Sequence, residues 1–212
     1  LREMGVGVGD TVAAYLPAEP FAGIAFLATA SLGAVWSSCG QDYAPEGAAS
    51  RFAQLKPKAL FASDGYRFGD KQVDKRADTA ELAQLLDIPR DRVITQLPEP
   101  TAETHALTPV QVPFDHPLWV LFSSGTTGKP KGIVHGHGGI VVEHVKVLGL
   151  HNDIGPGDVF FWHTALSWMM WNFRVAGLLM GATIVTFSGH PLAPTADRLW
   201  QICDDNNVTF FG

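Results

Sequence analysis

The sequence is short of cysteine, of surplus positive charge and of long apolar runs, and each shortage removes a class of function. Only two cysteines occur in 212 residues, Cys39 and Cys203. They lie far apart, with no CxxC partner and no metal-ligand spacing, and are read as reduced thiols in the core. Lysine and arginine number 15 against 21 aspartates and glutamates, a net charge of -6. That balance lacks the cationic surplus with which proteins displace counterions from phosphate backbones, so no nucleic-acid partner is expected. No apolar run approaches the roughly 20 residues needed to cross a bilayer, and Leu1-Arg2-Glu3-Met4 carries no signal-peptide core. The expectation is no membrane partner and a cytoplasmic location. Internal repeats and low-complexity tracts are also missing.

What is present is ample apolar material, 46% of residues against 17% charged, enough for one substantial core or two small ones. Short apolar runs alternate with stretches of helical period. Strands are predicted at 11–16, 34–38, 59–62 and 92–97. Between them fall a helix at 21–32 ending at Gly33, a second opened by Pro45 with Ala48, Ala49, Phe52 and Leu55 on one face, and a third at 73–86 after a turn at 65–69. Residues 98–117 hold Pro98, Pro100, Pro109, Pro113 and Pro117 without any period and read as a linker. Beyond them come strand 118–122, a glycine-rich loop, helix 140–150, a turn at 155–158, strand 159–164, helix 173–180, strand 183–187, a helix begun by Thr195 and strand 208–211. This order predicts an α/β fold of parallel-rich sheets with packed helices: a first α/β subdomain at 1–97, the linker, and a second α/β segment at 118–212.

The stretch from Phe122 to Gly132 contains Ser123, Ser124, Thr126 and Thr127, glycines 125, 128 and 132, and the two lysines Lys129 and Lys131, set directly after an apolar strand. Glycines let the backbone turn sharply and present N–H groups, hydroxyls donate further, and lysine offsets oligophosphate charge. It is not a Walker loop, since Gly125 stands only three residues before Gly128 and Lys129 is followed by Pro130. A dinucleotide-binding glycine pattern is missing too. A surface turn rich in Ser, Thr and Gly has the same composition, so composition alone leaves both readings open.

The ordered string Ser-Ser-Gly-Thr-Thr-Gly-Lys-Pro-Lys-Gly, residues 123–132, resembles the phosphate-binding signature of the adenylate-forming superfamily, which includes acyl-CoA synthetases, peptide-synthetase adenylation domains and luciferases. The resemblance covers the whole chain. Residues 28–39, residues 60–67 and Trp168-Met169-Met170-Trp171-Asn172 look like the acetoacetyl-CoA synthetase branch, related to the acetyl-CoA synthetases. It implies part of a large N-terminal domain, with ATP and CoA as co-substrates, Mg²⁺, and a short keto acid as the third small-molecule partner. A carboxylate would attack the α-phosphate of ATP, and the CoA thiol would then displace AMP.

Carried over by position, Ser123, Ser124, Gly125, Thr126, Thr127 and Gly128 would hold the β- and γ-phosphates, with Lys129 or Lys131 offsetting their charge. Trp168, Met169, Met170, Trp171 and Asn172 would shape the acyl pocket, Asn172 receiving the keto oxygen. Arg67 matches a contact to the 3′-phosphate of CoA. Asp70 stands where a second arginine is expected, and Lys71 is the substitute. Ser167 occupies a position where relatives place glycine, narrowing or reorienting the pocket. His135 packs or orients on the strand after the loop, and His135 with His137 lacks a third ligand for a metal. No catalytic residue falls within the chain, because the acidic ribose and Mg²⁺ motif, the hinge and the C-terminal domain would all follow Gly212. The 212 residues alone are therefore expected to be inactive. Acetyl- or propionyl-CoA synthesis, or a non-catalytic nucleotide-binding remnant, are the alternatives.

Overall fold

The computed structural model describes residues 1–99, 107–123 and 128–212. Its largest layer is a six-stranded sheet built from β1 (Thr11–Tyr15), β2 (Val35–Cys39), β3 (Ala59–Ala62), β6 (Val93–Ile94), β7 (Pro117–Ser123) and β8 (Lys131–Gly136), in the order β6-β3-β1-β2-β7-β8. Every neighbouring pair is parallel except β7 with β8. The central strand explains why the sheet is covered twice. Alternate side chains of a strand point to opposite faces. On β1 both sets are apolar: Val12 and Ala14 join one buried cluster, Ala13 and Tyr15 another. Such a strand is stable only inside a parallel sheet with helices on both faces.

Helix α1 (Pro20–Ser31) supplies Ala22, Ala25 and Phe26 to the first face. Helices α2 (Pro45–Phe52) and α3 (Arg76–Leu85) supply Ala48, Ala49, Phe52, Leu82 and Ala83 to the second. Proline opens α1 and α2, where its missing N–H costs nothing. Gly33 closes α1 at φ 66, a left-handed conformation that glycine adopts without strain, and a Cβ there would press on Val8 and Val112.

Three expectations are corrected. The turn at 65–69 and the helix from Val73 are instead an antiparallel hairpin, β4 (Gly65–Phe68) with β5 (Lys71–Asp74), and α3 starts only at Arg76. Gly69, at φ 61, takes the first central position of the two-residue turn, the place a right-twisted hairpin requires to be glycine. The strand predicted at 92–97 shrinks to the two residues of β6. Residues 98–117 do not separate two sheets, because β7 and β8 complete the first one beside β2, pinned by the Ser37 hydroxyl donating to the Val120 carbonyl at 2.9 Å. Of that connection 100–106 lies outside the described residues. Its later part straps the end of α1, with Val110 N–H donating to the Ser31 carbonyl at 2.9 Å.

The change of layer comes after α4 (His137–Val145), which runs on as a π-helical stretch to His151. A second, all-parallel sheet follows: β9 (Val159–Phe161), β10 (Thr183–Val185) and β11 (Phe210–Phe211), in the order β10-β9-β11, with α6 (Arg198–Asp205) preceding β11. Helix α5 (Met169–Val175) joins the two layers. Trp171 and Val175 belong to the first core, while Phe173 belongs with Phe160 in the second. Trp171 stacks on Trp36 at 6.1 Å and an interplanar angle of 18°. Of the two thiols, Cys39 is buried in the core, which pushes its pKa up to about 12, whereas Cys203 is only half-buried. No helix among the described residues is long and apolar enough to cross a membrane.

Two outcomes follow. Trp171→Ala removes the side chain that anchors α5 in the first core and should cost roughly 3–5 kcal/mol, read as a lowered urea midpoint. His144 on α4 is 1% exposed, lies between Trp119 and Phe173, and has neither ring nitrogen hydrogen-bonded among the described residues. Burial lowers its pKa from 6.5. The unfolded state therefore binds the proton more readily, and stability falls as pH drops below about 6.5 through the folded pKa. His144→Phe should flatten that loss between pH 7.5 and 5.5 in thermal melts; an unchanged slope would show that His144 does not titrate on unfolding.

Candidate functional site

In parallel α/β sheets the strand ends that carry carbonyls leave a crevice where ligands bind. Both sheets turn that edge toward a common space here. Leu16 and Pro17 follow β1, Gly40 and Gln41 follow β2, Tyr66 and Phe68 come from the hairpin, His163 and Thr164 follow β9, and Phe187 follows β10. Together they line a cavity of about 220 Å³. That is below the roughly 300–1,000 Å³ usual for enclosed ligand pockets.

Its walls are tied together across the two layers. Gly40 N–H donates to the Ser167 hydroxyl at 3.1 Å, and the Ser38 hydroxyl donates to the Leu166 carbonyl at 3.2 Å. A Cβ at Gly40 would meet the Asp42 carboxylate, the far end of an exposed side chain, which would have to shift. Ser167 thus spends its hydroxyl on joining the layers. Gln41 is buried. Its amide donates to the Ser63 carbonyl at 2.6 Å, and its Oε1 has no partner among the described residues. Phe68 packs on His190 at 4.9 Å, closing the cavity between the hairpin and the loop after β10.

Behind His163 lies Arg174 of α5, fully buried, with Nη1 donating to the Trp162 carbonyl at 3.2 Å and Nε and Nη2 without partners among the described residues. Burial lowers its pKa to about 10. Burial, and secondarily the Arg174 charge, lowers the pKa of His163, favouring the neutral ring at the cavity wall.

The phosphate-loop candidates divide. Ser124, Gly125, Thr126 and Thr127 lie outside the described residues. Ser123 ends β7 directly opposite Lys131 at the start of β8, so the loop springs from the carboxyl end of a parallel strand with Lys131 at its base. Gly128 and Lys129 are exposed on the returning arm.

The acyl-pocket candidates are not brought together. Trp168 is 68% exposed and Met169 42%, Met170 packs against the second core, and Trp171 is enclosed in the first. Asn172 is 1% exposed, and neither its Oδ1 nor its Nδ2 has a partner among the described residues. Arg67 and Lys71 likewise sit on opposite faces of the hairpin. Arg67 stands across from Gln72, with Nε donating to the Gly69 carbonyl at 3.1 Å, and Lys71 stands across from cavity-lining Phe68. His135 faces Trp119, whose indole N–H donates to Nδ1 at 2.7 Å, at the end of β8 away from the loop. His137 opens α4 beside His116. Among the described residues no group of three or more His, Cys, Asp or Glu side chains could hold a metal.

Gly40, Gln41 and His163 were not singled out by sequence. The available signal was positional, since Gly40 and Gln41 directly follow β2 and His163 lies two residues beyond β9, at the carbonyl ends of buried strands.

The family model described as "AMP-binding enzyme" matches residues 1–212. The acetoacetyl-CoA synthetase of Mus musculus is 36% identical over 235 residues, covering 100% of this chain and 35% of that protein. The acetoacetyl-coenzyme A synthetase of Rhizobium meliloti (strain 1021) is 36% identical over 234 residues with the same coverage. The solved structure of acetoacetyl-CoA synthetase from Streptomyces lividans superposes with a TM-score of 0.94 at 50% identity, over 100% of this chain and 35% of that one. The chain thus spans about a third of the length of these relatives. With its whole length matched and its strand-end loop in the position described, the chain belongs to the family of AMP-binding enzymes.

Proposed function

We propose that the chain is the phosphate-gripping and acyl-binding part of an ATP-dependent acid-thiol ligase, with acetoacetate as the acid and CoA as the thiol. The observation that carries this reading is the 50% identity to the Streptomyces lividans acetoacetyl-CoA synthetase across every residue of the chain. In the first half-reaction the acid's carboxylate attacks the α-phosphate of ATP, giving acyl-adenylate and pyrophosphate. The chain's contribution is positioning and charge neutralisation. Ser123, Ser124, Thr126 and Thr127, with the N–H groups of Gly125 and Gly128, bind the two phosphates that leave. Lys129 and Lys131 offset their charge.

In the second half-reaction the CoA thiol displaces AMP. The small cavity at the strand ends accepts a short chain between Gln41, Phe68 and the neutral His163. Arg67 or Lys71, on the hairpin beside it, meets the phosphate end of CoA. Mg²⁺ enters as the companion of ATP. The described residues offer it no ligand set, so no step is assigned to it. The cytoplasm is the compartment that suits these substrates.

Discrimination for acetoacetate falls to Asn172, whose buried amide has donor and acceptor both unengaged among the described residues. A site built to hydrogen-bond an oxygen rejects the analogue lacking it, because its polar group is then left unpaired. In the full-length protein kcat/KM for acetoacetate should exceed that for acetate by at least about tenfold. Asn172→Leu should erase this preference while leaving the KM for ATP unchanged. Equal use of both acids by the unaltered protein would shift the reading to a general short-chain ligase. Lys129→Ala should raise the KM for ATP severalfold, and an unaltered value would remove Lys129 from the phosphate grip.

A further inference from the structure

Beyond α2 the chain makes one more tight turn. Ala53 N–H donates to the Ala49 carbonyl at 2.9 Å, Gln54 N–H to that of Arg51 at 3.2 Å and Leu55 N–H to that of Phe52 at 2.9 Å. Phe52 is fully buried beneath it, and Lys56, at φ 49, ends the turn. Gln54 therefore stands exposed on a backbone fixed from below.

Its side-chain amide has two donor hydrogens and both are used. One goes to the Ser50 carbonyl at 2.9 Å, four residues back. The other goes to the Pro130 carbonyl at 3.1 Å, 76 residues ahead. The local bond orients the amide, so the second N–H is aimed before Pro130 reaches it. Pro130 stands between Lys129 and Lys131. As a proline it has no N–H, and its carbonyl is its only backbone group able to take a tether.

We propose that Gln54 is a positioning residue for the phosphate grip: it clamps the returning arm at Pro130 and thereby sets the place of Lys129. The cross-strand pair Ser123 with Lys131 fixes the base of the loop from the sheet side, and Gln54 fixes it from the α2 side. This role rests on the reading of 122–132 as a site for ATP phosphates. Gln54 itself touches no substrate.

The test is steady-state formation of AMP by the full-length protein with ATP, acetoacetate and CoA each varied. Gln54→Met and Gln54→Glu keep the side-chain length and remove the donor. Both should raise the KM for ATP by about three- to tenfold, the worth of one hydrogen bond, while the KM values for acetoacetate and CoA and the Tm stay put. Gln54→Arg, which restores a donor with a longer reach, should recover most of the ATP KM.

An unaltered KM for ATP in Gln54→Met overturns the clamp. A rise confined to Gln54→Glu also overturns it, since that is repulsion between the new carboxylate and ATP. A parallel rise in all three KM values with a lower Tm marks a general structural role and overturns it too. Should the unaltered protein form no AMP from ATP, the underlying reading falls and takes the role of Gln54 with it. Full activity with an indifferent Gln54→Met sinks the role of Gln54 alone.

Discussion

The fold depends on a single shared burial: α5 sits between two parallel layers and gives a side chain to each. Trp171 stacks on Trp36 inside the first core, and Phe173 packs edge-on against Phe160 in the second. Neither layer could shift without exposing one of these aromatic surfaces, and aromatic side chains carry the largest burial of any residue type. Apart from β8, the strands of each sheet already agree in direction. Locking the layers together therefore fixes two sets of carbonyl ends around one crevice. The bonds from Gly40 to Ser167 and from Ser38 to Leu166 are short-range refinements of a placement that the aromatic packing makes.

The same packing explains why the cavity wall tolerates a buried guanidinium. Arg174 is enclosed because its neighbours on α5, Phe173 and Val175, are required by the two cores. An enclosed charge with one hydrogen bond among the described residues is costly, and the same burial lowers its pKa. Its nearby consequence is chemical. His163, facing the cavity, is held toward the neutral form that can both donate and accept a hydrogen bond.

Legibility from sequence followed burial. β1 reads as a continuous apolar run because both faces are covered, α1 shows in its apolar spacing and the Gly33 stop, and α2 in the proline at its start and its buried face. The hairpin of β4 and β5 was hidden by its composition. Eight strand residues containing Arg67, Lys71 and Asp74 bury little, so neither a run nor a clear alternation shows, and Val73 could pass for the start of a helix. The continuity of the first sheet across 98–117 was hidden for another reason. Prolines signal a break in local structure and carry no information about which strands pair beyond it.

At the site, the limit was geometric. Trp168 to Asn172 read as a unit in sequence, but α5 starts within it, and successive helical residues diverge by about 100°. Five consecutive side chains therefore cannot all face one pocket, and the helix sends Trp171 to a core, Met169 to the surface and Asn172 to a buried position with its amide free. The loop at 122–132 is the opposite case. The residues proposed to bind there are neighbours along one connection between β7 and β8, so the proposed grip needs no side chains gathered from distant elements. A contiguous string can therefore carry the proposal of a phosphate grip, while the proposal for the acid rests on one buried side chain.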